Sequence, residues 1–600
     1  MSTMSNYNVN NSTVNALLGW IDEGIVAIPE IQRPFVWSAT KVRDLLDSLY
    51  KDYPIGYIIT WQNPDARLKD GTVSHGKKIL IDGQQRVTAL MAAISGHEVL
   101  DGKYKKKRIK IAFHPEKEKF EVQNSAILKD KRWIPDIAEI FKPTFSSFNF
   151  ITEYCNHNPG MNPDELNRII QRLINIRHST LGIIDLNHTL DIKMVTEIFI
   201  RINSTGVSLS QADFVMSKIS VNSQHDGPII RKTIDYFSHL IEHPNIFENI
   251  RANDAEFSQT EAFRKIQWLK DYNSNIYQPS YSDVLRVAYT FKFLRGPLSN
   301  LVSLLSGRDF ETREFKDEII ESSFADLKDG VMQFVDETNF KRFLMIVKSA
   351  GMIDKKLVRS ITVLNFAYAL YLLLREQNYS SSDINHAVRK WIVASTLTER
   401  YSSSIESRFS ADIKRFAKEN PRDVIQSVEN GELSDAFWEN TFLENLETST
   451  SNSPFFNLYV MAQIYDNDYA FLSKSIRDQQ LIEERGDVHH VFPKNYLQKN
   501  GFDHYSIYNQ IANYVYTEQT VNLALSNQPP AQYIETVKKQ IENQEYVIGE
   551  ISSEVELEEN LRMNCIPESI YEMDAEDFQE FLKQRRQLMM EKVKHFYKSL

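Results

Sequence analysis

Apolar and polar positions along the chain fall into three textures. Up to about residue 235, short β-rich runs alternate with helical patterns. Ile55-Gly56-Tyr57-Ile58-Ile59-Thr60-Trp61 and Lys78-Ile79-Leu80-Ile81 are short, apolar and β-branched, and predict strands. Ala39 to Leu49 carries Val42, Leu45, Leu46 and Leu49 at helical spacing and predicts an amphipathic helix. From about 236 to 450 the period is helical, with hardly any strand signal. The last stretch ends in a predicted helix with Asp574 as its cap and Phe578, Phe581, Leu582, Leu588, Val593 and Phe596 on its buried side. These textures predict a helix-rich, multidomain α+β chain. An α/β domain spans 1–235, a helical connector 236–450 and a further domain 451–600.

Composition agrees with that reading. There are 20 glycines and 19 prolines in 600 residues, about half the usual share, which favours long helices over a sandwich of short strands. The most apolar run, Ile361 to Leu374, lies between Arg359 and Arg375 and is interrupted by Thr362 and Asn365. It is shorter than the ~20 residues a spanning helix needs, so a buried core helix is expected. The start, Met1 to Asn11, lacks the apolar core of an export signal. Cys155 and Cys565 are the only cysteines, too few for a disulfide framework or a cysteine-rich zinc site. A cytoplasmic protein with no membrane contact is the expectation.

Charge narrows the partners. Lysine and arginine number 69 against 80 acidic residues, a net charge of −11, which excludes indiscriminate coating of nucleic acid. The acid is concentrated at the end: residues 541–600 hold 14 acidic and 7 basic side chains. Against this trend, Lys103, Lys105, Lys106, Lys107, Arg108 and Lys110 surround Tyr104. Lys105, Lys106, Lys107 and Arg108 read equally well as a solvated edge or as contacts to a DNA backbone.

Two regions carry chemistry. In the first, His489-His490 stands ahead of Val491-Phe492-Pro493, Asn513 follows His490 by 23 residues, and Asn522 comes nine later. Phosphodiester hydrolysis needs a base that titrates near neutrality and a cation to offset developing charge. This arrangement resembles the HNH (ββα-metal) nuclease motif. The resemblance implies a hairpin followed by a helix gripping one divalent cation, with oxygen ligation suited to Mg²⁺ or Mn²⁺. On it, His489 and Asn522 are metal ligands, His490 is the general base, and Asn513 fixes the loop or the imidazole. Lys494 would stabilise a phosphate and Asp487 would supply or orient a ligand; both read equally as surface residues. His504 is expected to be solvated.

The second region is Asp82-Gly83-Gln84-Gln85-Arg86, directly after a predicted strand. It is joined by Gln32 and Arg33, in Ile28 to Trp37, and by Asn203, in Phe199 to Gly206. Together these clusters resemble the ParB-like nucleotide-binding domain of the GmrSD-type (type IV, modification-dependent) restriction endonucleases. Arg585-Arg586-Gln587-Leu588-Met589 resembles that family's final segment. The resemblance implies a nucleoside triphosphate pocket lined by Gln32, Arg33, Asp82, Gly83, Gln84, Gln85, Arg86 and Asn203. The other reading pairs Arg33 and Arg86 with Glu30 and Asp82 as structural ion pairs.

The expected function is an NTP-regulated, metal-dependent endonuclease that restricts phage DNA carrying modified bases or backbone. Double-stranded DNA and a nucleoside triphosphate are its expected partners, and a homodimer would serve double-strand cleavage. Two alternatives remain: a nucleotide-dependent DNA-binding or partner-recruiting switch without nuclease activity, and a general nuclease toxin restrained by a partner.

Overall fold

In a computed structural model the described residues are 6–27, 37–62, 78–100, 105–190, 194, 210–220, 222–484 and 488–600. The chain divides into two compact units. One comprises Met1–Tyr272 and Leu298–Met332, the other Asn273–Pro297 and Gln333–Leu600. The helical stretch 236–450 is thus shared between them.

The first unit holds strands β1 (Tyr7–Thr13), β2 (Val26–Ala27), β3 (Ile58–Gln62), β4 (Lys78–Asp82), β5 (Glu98–Leu100), β6 (Lys106–Arg108), β7 (Ile111–His114), β8 (Lys119–Val122) and β9 (Thr180–Leu186). Five of these make one mixed sheet in the order β1-β9-β3-β4-β2. β3 runs parallel to β9 and antiparallel to β4, so its residues are hydrogen-bonded on both sides. That explains its apolar run: Ile58, Ile59 and Trp61 are all buried. β1 and the short β2 are the two edges; β1 is largely exposed and comes from the polar start of the chain. β5–β6 and β7–β8 are separate two-stranded ribbons.

The helix Ala39–Tyr50 forms as its pattern predicts. Ser38 Oγ caps it by accepting from Lys41 N at 3.3 Å, and Val42, Leu45, Leu46 and Leu49 are buried. Each such leucine removed from water contributes roughly 1.5–3 kcal/mol. Those side chains join Leu80, Val87 and Ile183 in a single apolar core. It fixes the end of β4, and hence the Asp82 turn, against the sheet.

The second unit is almost wholly helical among its described residues. Ile361–Glu376 is a core helix, with every side chain from Val363 to Leu374 buried. Asn365, the polar interruption, is satisfied there: it donates to Asp283 Oδ1 at 2.6 Å and accepts from Tyr277 O–H at 2.8 Å. No helix among the described residues is long and apolar enough to cross a membrane. The last helix, Phe578–Ser599, departs from expectation at its start. Asp577 precedes it, while Asp574 Oδ1 instead accepts from Glu576 N in the preceding turn, at 2.8 Å. Phe578, Phe581, Leu582, Val593 and Phe596 are buried as predicted. Leu588 is only half-buried, and Arg585, Met589 and Met590 share the inner face.

Candidate functional site

The hairpin of the second unit is built from strands β10 (Val488–His490) and β11 (Tyr514–Tyr516). They pair antiparallel, with His489 opposite Val515 and His490 opposite Tyr514. The helix Gln519–Leu525 follows at once and carries half-buried Asn522 on its second turn. Two short helices, Lys494–Lys499 and Tyr505–Tyr508, lie in the connection between the two strands.

Asn513 is fully buried at the end of a short 3₁₀ turn, Ile511–Asn513, directly ahead of β11. Its Oδ1 accepts from Phe492 N at 2.9 Å, and its Nδ2 donates to Phe492 O at 3.1 Å and Tyr508 O at 3.0 Å. This amide ties both ends of the long connection between the strands. It fixes the loop and not the imidazole. Two further buried groups lock the same segment. Tyr533 O–H donates to Val491 O at 3.0 Å, and Arg585 Nη1 donates to Ala512 O at 2.8 Å. Arg586, its neighbour, donates to Gln510 Oε1 at 2.5 Å and pairs with Glu447 at 2.8 Å.

The residue that touches the imidazole is Asn509, which spacing alone did not single out. His490 Nε2 lies 2.8 Å from Asn509 Oδ1. An amide oxygen only accepts, so Nε2 carries the proton and Nδ1 of the neutral ring is the basic nitrogen. Tyr514 packs edge-on against the ring at 5.3 Å. Burial holds the His490 pKa below its ordinary value. The Asn509 hydrogen bond opposes that shift, and His489 and Lys494 add to it. A neutral imidazole at physiological pH follows, which is the form a general base needs.

His489 is half-buried on β10. Lys494 opens the helix Lys494–Lys499 at the exposed surface, its ammonium 5.4 Å from the Tyr508 ring centre. His504 is exposed and contacts Ser506 Oγ at 2.9 Å, as a solvated residue would. Asp487 lies outside the described residues. Among the described residues, no three histidine, cysteine, aspartate or glutamate side chains gather to hold a metal ion.

In the first unit the Asp82-Gly83-Gln84-Gln85-Arg86 turn sits at the end of β4. Gly83 has φ +92°, and a Cβ there would come within 2.5 Å of Ile58 Cδ1. Only glycine lets the chain turn from β4 into the helix Gln84–Leu90 at this point. Arg86, one helical turn on, folds back to Asp82 Oδ2 at 2.9 Å and also donates to Ile55 O at 2.8 Å. The ion-pair reading therefore describes Asp82 and Arg86. Gln84 and Gln85 are half-buried, and Gln84 Nε2 reaches Leu80 O at 3.4 Å. Gln32, Arg33, Asn203 and Glu30 lie outside the described residues.

A polar cluster on the same sheet escaped the sequence reading. Asp185, one residue from the end of apolar β9, accepts from Thr60 Oγ1, from Lys78 Nζ at 2.8 Å and from Asn10 Nδ2 at 3.0 Å. The available signal was a carboxylate inside a run of leucine and isoleucine, which needs partners to be tolerated there. In the basic run, Lys105, Lys106 and Lys107 are exposed. Arg108 is turned inward, donating to Ala92 O at 2.8 Å and Asp136 Oδ2 at 3.2 Å. Its guanidinium holds the fold, and Lys110, further along the run, is exposed like Lys106 and Lys107.

Residues 14–220 match the N-terminal domain of the GmrSD restriction endonucleases. The match covers the first third of the chain, within the first unit. The chain is also 22% identical over 629 aligned residues to the uncharacterized protein MJ0686 of Methanocaldococcus jannaschii, covering 95% of this chain and 96% of that one. The similarity to that protein runs through both units, whereas the GmrSD match ends before the hairpin.

Proposed function

We propose that this chain is a metal-dependent HNH endonuclease that restricts modified foreign DNA under the control of an amino-terminal nucleotide-binding domain. The observation that carries the reading is the His490–Asn509 contact, on a strand–strand–helix unit whose loop Asn513 ties down. It leaves one ring nitrogen fixed and the other basic.

In this mechanism His490 Nδ1 removes a proton from the attacking water. A bond forms between that water's oxygen and phosphorus, and the bond to the leaving sugar oxygen breaks. Asn509 accepts from Nε2–H throughout and so stabilises the imidazolium as it forms. His489 and Asn522 would hold the cation, which when bound neutralises charge on the phosphoryl oxygens. Lys494 would meet a neighbouring phosphate.

In the first unit the Asp82 turn, with Gln84 and Gln85, is the proposed triphosphate site, completed by Gln32, Arg33 and Asn203. A bound triphosphate would compete with Asp82 for the Arg86 guanidinium, because both present anionic oxygens to it. That competition gives the domain a way to report nucleotide. The exposed strip Lys105–Lys107 is the proposed DNA-backbone contact.

The test pairs wild type with His490→Ala on unmodified DNA and on DNA with modified cytosines or phosphorothioate linkages. Mg²⁺ or Mn²⁺ is present, with and without nucleoside triphosphate. Cleavage of modified DNA by wild type, and none by the variant at unchanged melting temperature, is the expected result. DNA left intact under every condition would sink the reading. Equal cutting of unmodified DNA would favour the toxin alternative.

A further inference from the structure

A broad groove crosses the surface of the second unit, apart from every residue assigned above to chemistry. The helix Glu554–Met563, the turn Glu568–Tyr571 and the helix Phe578–Ser599 form its walls, and Leu443 and Glu447 close one side. Its volume is about 1380 Å³, above the roughly 300–1,000 Å³ of pockets that enclose small molecules. The apolar floor is Leu588, half-buried, over Leu561 and Ile566, which the fold already buries, and Val555 is 72% exposed. An exposed valine beside an apolar floor is the surface a partner would cover.

The rim decides the kind of partner. Five glutamates line the groove together with Arg562, Lys583 and Arg586. Two of those cations are already engaged, Arg586 with Glu447 at 2.8 Å and Arg562 with Glu559 at 3.8 Å. Glu558, Glu568 and Glu580 then face Lys583. The surrounding segment is acidic as well, with 14 acidic against 7 basic residues in 541–600. Three of those seven are turned away from a ligand. Arg585 is fully buried, Lys592 is held by Asp466 and Asp468, and Lys594 is held by Asp435. A nucleic acid is repelled by such a rim, whereas a lysine- or arginine-bearing surface is attracted.

We infer that this groove docks a helical segment of a protein partner, apolar on one face and basic on the other. Leucine-like side chains spaced i, i+3, i+4 and i+7 would cover Val555 and Leu588, while flanking lysines would meet Glu558 and Glu568. The inference stands apart from the nuclease reading, since it depends on none of His489, His490, Asn513 or Asn522.

The experiment uses the full chain and a fluorescein-labelled synthetic peptide of about 14 residues, roughly four helical turns. The peptide carries leucines at that spacing and lysines elsewhere. Its control is a peptide of the same composition in scrambled order. Fluorescence anisotropy should give saturable, one-to-one binding of the patterned peptide. Binding should weaken about tenfold in the Glu558→Lys/Glu568→Lys double variant and in Val555→Asp. A melting-temperature measurement checks that these surface variants keep the fold, and chemical-shift or hydrogen-exchange mapping of wild type serves if one does not. Equal affinity for the scrambled peptide would overturn the inference, because charge alone would then account for binding. Displacement of the peptide by duplex DNA, or protection mapped away from Glu554–Met563, would overturn it as well.

Discussion

The Asp82 turn and the His490 hairpin are both short polar motifs set in apolar frames, yet they distribute their work differently. In the turn, the motif's charges answer each other: Arg86 spans Asp82 and the Ile55 carbonyl, and Gly83 supplies the backbone conformation that allows it. In the hairpin, the structural support and the proposed chemistry fall to separate residues. Asn513 ties the loop with three hydrogen bonds, while His490 keeps one ring nitrogen for Asn509 and the other basic. A motif whose members satisfy one another resists change and must be opened to act. A motif whose support comes from outside can present an uncommitted group.

The sharpest way to break that contrast is at its chemical end. His490→Ala should reduce DNA cleavage by about 10²–10⁴-fold, the usual weight of a general base, without altering the melting temperature. A rate within threefold of wild type would show that the imidazole has no such role. Asn513→Ala tests the structural end. It strips partners from the buried Phe492 N–H and C=O and from Tyr508 C=O, so it should cost about 3 kcal/mol in a urea titration of the second unit. If Asn513→Ala leaves stability unchanged but abolishes cleavage, the division of labour drawn above is wrong.

The sequence carried the frame of both sites better than their wiring. Leu45, Leu46 and Leu49, the β4 run and the Ile361–Glu376 core helix were legible because burial imposes a period on apolar residues. β1 was not, because an edge strand with one wet side needs no apolar alternation, and Tyr7 and Val9 are both exposed. Asn509 and Asp185 were missed for a different reason. Asn509 acts through one contact, to His490, and nothing local distinguishes it, whereas Asp185 gathers Thr60, Lys78 and Asn10 from distant parts of the chain, with only its apolar neighbours as a signal. Arg108 shows the converse, since a run of like charges hid one member that is turned inward.

Two carboxylates extend the comparison. Asp82 has its arginine, whereas Asp478 is fully buried with neither carboxyl oxygen hydrogen-bonded. Burial, reinforced by Asp468 and opposed by Lys592, pushes the Asp478 pKa well above the ordinary carboxylate range. Asp468, buried beside Lys592, is pushed up to about 6. For a raised folded-state pKa, stability is intact below the unfolded value and is lost as pH rises towards the folded one. Asp478→Asn should therefore match wild type near pH 4 and become the more stable form by about 1.4 kcal/mol for each pH unit above the ordinary carboxylate range. Melting temperatures at several pH values check this, and a difference that stays constant with pH would contradict it. Asn509→Ala comes next in size. It should lower kcat about tenfold while leaving KM and metal affinity unchanged, with partial recovery in Asn509→Gln. A change in KM alone would mean that Asn509 shapes the substrate surface and does not orient the base.

The smallest expected effect is at the turn. The Asp82 and Arg86 side chains are 29% and 18% exposed, so solvent screens their attraction. Asp82→Asn should cost only about 0.5–1 kcal/mol in the urea titration, because Arg86 keeps its bond to the Ile55 carbonyl. The same substitution removes the anion that competes with phosphate for that guanidinium. If the turn opens to bind nucleotide, Asp82→Asn should bind triphosphate more tightly than wild type, read by isothermal titration. If Asp82 instead takes part in holding the nucleotide through a cation, binding should fall. The sign of one affinity change, against a nearly silent change in stability, separates a self-satisfied turn that nucleotide opens from one in which the carboxylate itself serves the ligand.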